Sequence, residues 1–128
     1  MNAWYTELIR PPLTPPSWVF GPVWTVLYFL IAASIILYVI ETRNTRPYWI
    51  YALILAHLIA NLAWSPVFFG LRRIGWALFD IVIIDLTLIA MIYLFYQAQK
   101  AASILLWPYL AWVLFATYLN SGFYLLNR

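Results

Sequence analysis

The sequence predicts an all-α integral membrane protein, a bundle of four transmembrane helices, on three observations. Of its 128 residues 66% are hydrophobic and 9% charged, against about 45–50% and about 25% in an average soluble domain. Four long stretches, residues 17–40, 48–69, 74–96 and 101–126, are uncharged or nearly so. The links between them are short and polar, and Trp and Tyr crowd their ends (Trp18, Tyr38, Tyr48, Trp49, Trp76, Tyr96) as an interfacial aromatic belt requires. So few charges cannot cover a water-soluble enzyme. Disorder is excluded for the same reason, since it needs low hydrophobicity and high charge. The net charge of +3 is scattered in ones and twos, which is no nucleic-acid footprint. Zero Cys excludes disulfide scaffolds, thiolate metal sites and cysteine nucleophiles. No nucleotide loop, zinc spacing or Ser-His-Asp set is present, so neither a metal nor a cofactor is expected.

The chain reads as a single domain, residues 1–128. It opens with a proline-rich stretch, residues 1–16, leading into Ser17-Trp18. Pro11, Pro12, Pro15 and Pro16 each remove a donor and restrict the preceding residue, so this stretch is extended rather than helical. It reads as a lid over the bundle rim or as a linker. Each apolar stretch then supplies roughly 20–26 residues, about 30–39 Å of helix, enough to cross a hydrocarbon core about 30 Å thick. Backbone groups in that core must pair within their segment, which selects helices, and Ile81-Val82-Ile83-Ile84 lacks the alternation of a barrel strand. Short links (residues 41–47, 70–73 and 97–100) make consecutive helices antiparallel neighbours in an up-down bundle. Arg10, Arg72, Arg73 and Arg128 fall on one membrane face and Arg43, Arg46 and Lys100 on the other, which orients the first face to the cytoplasm of a bacterial cell membrane.

Ionisable groups inside the spans are costly and therefore singled out. Asp80 lies near the start of the third helix, where the positive helix end lowers its cost. Asp85 and His57 sit halfway along antiparallel neighbours, at a shared depth where they could pair. Such a pair is either helix–helix glue or a proton relay facing a ligand; a lone His is weak ground for haem ligation. On the second helix Ala52, Ala56, Ala60 and Ala63 form a small-residue stripe suited to a partner helix or a homodimer. His57, Asn61 and Trp64 form a polar-aromatic stripe beside it. Trp107-Pro108-Tyr109 should kink the last helix, along which Trp112, Phe115, Ala116, Leu119 and Phe123 then recur at spacings of three and four. An aromatic flank with a gap at Ala116 suits either a flat apolar ligand or plain core packing.

Three blocks of the chain, residues 4–28 (WYTELIRPPLTPPSWVFGPVWTVLY), 61–80 (NLAWSPVFFGLRRIGWALFD) and 107–120 (WPYLAWVLFATYLN), resemble the TspO/translocator-protein family, also called the peripheral benzodiazepine receptor family. The resemblance implies a bundle that binds porphyrins such as protoporphyrin IX, sterols in some members, and benzodiazepine-type ligands, in a pocket lidded by the proline-rich segment. It would make the protein a sensor, carrier or regulator of porphyrin levels. By resemblance the pocket residues are Trp24, Asn61, Trp64, Trp112, Ala116 and Leu119, and Asp80 falls on a family acid. Some bacterial members are described as degrading porphyrin in light and oxygen, with Trp24 and Trp112 the matching pair here. A proton-coupled transporter built on His57 and Asp85 is the remaining alternative. The family has five membrane helices, the first lying ahead of the Trp4-Tyr5 block, where this chain has three residues. Asp85 lies outside the matched motifs. Leu119, Tyr124 and Arg128 satisfy a loose sterol pattern, though not in the animal register.

Overall fold

The computed structural model describes residues 8–127, apart from the side chain of Ser17. Trp4 and Tyr5, most of the proline-rich segment's leading half and Arg128 of the loose sterol pattern lie outside the described residues. A single 3₁₀ turn, Ser17–Val19, leads into α1 (Phe20–Glu41); α2 is Tyr48–Ser65, α3 Ile74–Ala98, α4 Lys100–Leu105 and α5 Trp107–Asn127. With α4 and α5 together forming one span, four helices among the described residues are long and apolar enough to cross a membrane.

The breaks follow from prolines and caps. Pro22 sits in the first turn of α1, where a missing N–H costs nothing. At the other end Thr42 closes the helix, its amide and hydroxyl both donating to the Tyr38 carbonyl at 3.0 and 2.8 Å. Pro66 cannot continue the α2 ladder, and the chain widens into a π-helical turn, Pro66–Gly70, closed by Leu71 N–H to Pro66 O at 2.9 Å. Arg72 then adopts a left-handed backbone (φ 55°) and turns the chain into α3. Pro108 cannot donate to the turn before it. The fourth span accordingly breaks at Leu106, as Trp107-Pro108-Tyr109 suggested, and resumes with Leu110 N–H to Leu106 O at 2.9 Å.

The hub is α3. It packs on α2 along one flank and on α5 and α4 along the other, burying Ile81, Ile84, Leu88, Met91 and Phe95. In one respect the arrangement departs from the up-down expectation. α1 and α2, although joined by a short loop, are not closely packed backbone to backbone; α1 leans on α4 and α5 instead. The reason is the size of the side chains between them, chiefly Trp24, Tyr28, Tyr38 and Tyr51. At the loop end these fill the gap. Tyr38 stacks on Phe95 with ring centres 4.1 Å apart, Tyr51 lies edge-on to Tyr38, and Thr42 bonds the Tyr51 hydroxyl at 2.7 Å. Ser34 donates to Ala102 O at 2.6 Å and Ser103 to Ile92 O at 2.7 Å, so this end is clamped around α4.

At the opposite end the described part of the proline-rich segment runs along α5 as a strap. Ile9 and the Asn127 amide exchange two hydrogen bonds of 2.9 Å, and the Tyr118 hydroxyl donates to Pro12 O at 2.7 Å. Between these, Pro11 is buried against Gly122, where a Cβ would come within 2.5 Å of the Pro11 ring. Along the alanine stripe of α2, Ala52 and Ala56 are exposed, Ala60 is buried and Ala63 half-buried.

Candidate functional site

Between the splayed α1 and α2, and floored by α3 and α5, lies a cavity of about 390 Å³. Its position follows from local rules. α1 and α2 are held apart, and the π-helical turn adds an extra residue that swings Phe68 and Phe69 toward the gap. The side chains facing it are almost all apolar or aromatic. Trp24 and Trp112 stand edge-on, ring centres 6.5 Å apart at 89°, and Phe20 meets Trp112 at 5.8 Å. Across from them Trp64 stacks on Phe68 at 4.9 Å. The structure brings Trp24, Asn61, Trp64, Trp112, Ala116 and Leu119 together on this wall, although they come from three helices.

Several polar groups at the wall are engaged. Trp64 Nε1 donates to Asn120 Oδ1 at 2.8 Å, and Asn120 Nδ2 donates to Ile74 O at 3.2 Å. Tyr28 donates to Asn61 Oδ1 at 3.2 Å, and Asn61 Nδ2 donates to the Tyr109 hydroxyl. Trp112 Nε1 is buried with no partner while its ring lines the cavity, alone in this among the described side-chain donors. Burying an amide-like donor unbonded costs about 1–3 kcal/mol, so this N–H is positioned to reward an acceptor on whatever fills the space.

His57 and Asp85 do not form the pair that their shared depth suggested. His57 Nδ1 lies 2.7 Å from the Thr87 hydroxyl and Nε2 lies 2.9 Å from the Tyr109 hydroxyl. Asp85 Oδ2 instead accepts from Thr117 at 2.7 Å, and its Oδ1 is buried without a partner. Shared depth is not shared azimuth: His57 points along α2 toward α5, whereas Asp85 is turned to Thr117 further along α5. The bonds around His57 also determine its tautomer. Thr87 donates its proton to Ile83 O at 2.8 Å, so its oxygen accepts from Nδ1–H. Nε2 must then accept from Tyr109, whose oxygen already accepts from Asn61. One head-to-tail chain therefore runs Tyr28, Asn61, Tyr109, His57, Thr87, Ile83, with each donor spent on the next acceptor, and it holds a neutral imidazole. The His57–Asp85 contact on which the proton-coupled transporter alternative was built is therefore not made. Asp80 is half-buried on α3, with Oδ2 buried and unpartnered.

Sequence reasoning alone overlooked Tyr109, Asn120, Phe68 and Phe69 as wall or supporting residues. The available signal was Pro66 inside an apolar run, which announces a distorted turn, and the Asn120 amide at the end of a quoted block.

Comparison with known proteins places these features. The model of the TspO/MBR family matches residues 1–125. The chain belongs to the TspO/MBR family. It is similar to the tryptophan-rich protein TspO of Archaeoglobus fulgidus, at 42% identity over 99% of this chain and 82% of that protein. The human translocator protein is 40% identical over 91% of this chain and 70% of its own length. The tryptophan-rich sensory protein of Cereibacter sphaeroides is 36% identical over 93% of this chain and 73% of its own length. As a TspO/MBR member with four apolar spans, it is a multi-pass integral membrane protein.

Proposed function

We propose that this TspO/MBR protein binds a flat tetrapyrrole such as protoporphyrin IX in the cavity between α1, α2 and α5, and serves as a sensor, carrier or regulator of porphyrin levels. The observation that carries the reading is the wall itself. Edge-on tryptophans flank a space of about 390 Å³, within the size range of small-molecule sites, about 300–1,000 Å³. Its one unspent buried donor, Trp112 Nε1, would meet an acceptor on the ligand edge. A planar conjugated ring gains most against aromatic faces and edges, and the same surface accommodates benzodiazepine-type ligands. The relatives' names, one a sensory protein and one a translocator, support a signalling or carrier role over a catalytic one. The test is a titration with protoporphyrin IX in lipid nanodiscs, following tryptophan fluorescence. Saturable quenching that weakens in Trp112→Phe is expected; unsaturable quenching equal to that of free tryptophan in lipid would refute the reading.

One observation favours a second reading, breakdown of the porphyrin in light and oxygen. Trp24 and Trp112 place two oxidisable indoles 6.5 Å apart on the same wall. Illumination under air would then bleach bound porphyrin faster with the native protein than with Trp24→Phe/Trp112→Phe or with protein-free detergent. Equal bleaching in all three excludes it.

A further inference from the structure

Behind the aromatic wall, Tyr109 has surroundings that the neighbouring Tyr28 lacks. Tyr109 and His57 are both fully buried, and neither lines the cavity. The Tyr109 ring stands edge-on to Trp24 with centres 6.4 Å apart, and Trp24 lies 6.5 Å from Trp112. The Tyr109 hydroxyl donates to His57 Nε2 at 2.9 Å. Tyr109 therefore meets an oxidisable indole with its ring and a base with its hydroxyl. Tyr28 is nearer to Trp24, at 5.6 Å, but its hydroxyl donates to the Asn61 amide oxygen, which is too weak a base to take the proton. The chain has no Cys, so Trp and Tyr are its most readily oxidised side chains.

We propose that Tyr109 and His57 form a redox-active pair that draws one oxidising equivalent out of the cavity wall. The pair goes beyond ligand binding and rests on that reading only for its oxidant, a conjugated ring photoexcited in the cavity. The excited ring takes one electron from Trp24 and leaves an indole cation radical. Tyr109 then gives an electron to Trp24 while its hydroxyl proton passes to His57 Nε2. The O–H bond breaks and an N–H bond forms. Tyr109 ends as a neutral phenoxyl radical, His57 as an imidazolium, and the ligand holds the electron. Losing the electron alone would leave a phenol cation radical, a very strong acid; a base within hydrogen-bond reach removes that cost. The second transfer adds no charge to the bilayer, because the positive charge only moves from indole to imidazole. Every hydrogen bond around the pair survives. Thr87 still accepts from Nδ1–H, and the phenoxyl oxygen accepts from Nε2–H and from the Asn61 amide. Recombination with the reduced ligand reverses both transfers, so Trp24 and Trp112 are spared lasting oxidation.

The test is transient absorption of the full chain in lipid nanodiscs, with two sources of the indole radical. One is a flash on protoporphyrin IX, with benzoquinone present to take the electron on from the reduced ring. The other is direct laser photoionisation of tryptophan with no ligand. In both, the wild-type protein is expected to show a phase in which the indole radical decays as a tyrosyl radical rises, slower in heavy water. His57→Gln keeps an acceptor for Tyr109 and a donor for Thr87 but no base. Its melting temperature should hold while that phase slows about a hundredfold. Tyr109→Phe should remove the phase, and Tyr93→Phe, on the exposed outer surface, should leave it intact. An unslowed phase in His57→Gln, its survival in Tyr109→Phe, or an equal loss in Tyr93→Phe would overturn the proposal. A tyrosyl radical from photoionisation with none from the porphyrin flash would uphold the pair and refute the porphyrin reading instead.

Discussion

The two ends of the bundle are built from the same kinds of residue and behave oppositely. At the loop end, Tyr38 and Phe95 are stacked and almost completely buried, and Ser34, Thr42 and Ser103 spend their hydroxyls on carbonyls. At the strap end, Trp24, Trp64 and Trp112 are only partly buried around a cavity, Trp24 and Trp112 edge-on to each other and Trp64 stacked on Phe68. Aromatic content therefore does not make a pocket. What differs is how the gap between helices is filled. At the loop end Tyr38, Tyr51 and Phe95 pack against one another and close it, whereas at the strap end the rings of α1, α2 and α5 stand around an unfilled space. Backbone irregularity adds to this, because the π-helical turn at Pro66–Gly70 stands at the strap end, directly on the cavity wall.

That contrast can be broken from either side. The largest effect is expected at the closed end: Phe95→Ala removes a fully buried ring and should destabilise the protein by about 3–5 kcal/mol, lowering its melting temperature in nanodiscs without changing porphyrin affinity per folded molecule. Next is Tyr109→Phe, which deletes the middle of the hydrogen-bonded chain and strands His57 Nε2 and the Asn61 amide. Stability should fall by about 2 kcal/mol, and the shared position behind the wall should weaken porphyrin binding as well. Trp112→Phe keeps an aromatic ring but deletes the unpartnered N–H. Losing one hydrogen bond to ligand, about 1 kcal/mol, predicts about fivefold weaker binding in fluorescence titrations and a melting temperature that is unchanged or raised. The smallest effect on stability is expected from Gly122→Val, which the Pro11 ring has no room to accommodate. The strap should lift, porphyrin should dissociate faster in stopped-flow displacement, and equilibrium stability should barely move. If dissociation is unaltered, the strap does not control access to the cavity.

Much of this was legible in the residues. The four spans appear within a few residues of their observed bounds, because hydrocarbon thickness and backbone pairing leave a long apolar run few alternatives. The break before α5 was announced by Pro108 and the distorted turn after α2 by Pro66. Periodicity placed Asn61 and Trp64 on one stripe and Trp112, Ala116 and Leu119 on another, but only motif resemblance joined them with Trp24 as one wall, since periodicity assigns a residue to a face of its helix and not to a neighbour. His57 and Asp85 show the limit most clearly. Counting along antiparallel helices gives depth, and depth made them partners; rotation about each helix axis separated them, and rotation is set by how α2, α3 and α5 pack together.

The sequence by itself determined that this chain lies in the bilayer as four helices, where those helices stop, and to which family it belongs. These properties depend on local composition and on the cost of unpaired backbone in lipid, both readable one segment at a time. Only the tertiary structure decided that α1 stands away from α2, that one aromatic end closes while the other encloses a cavity, and that Trp112 alone on its wall keeps an unspent buried donor. Those outcomes depend on how large side chains from different helices meet, and no single stretch of chain contains that information.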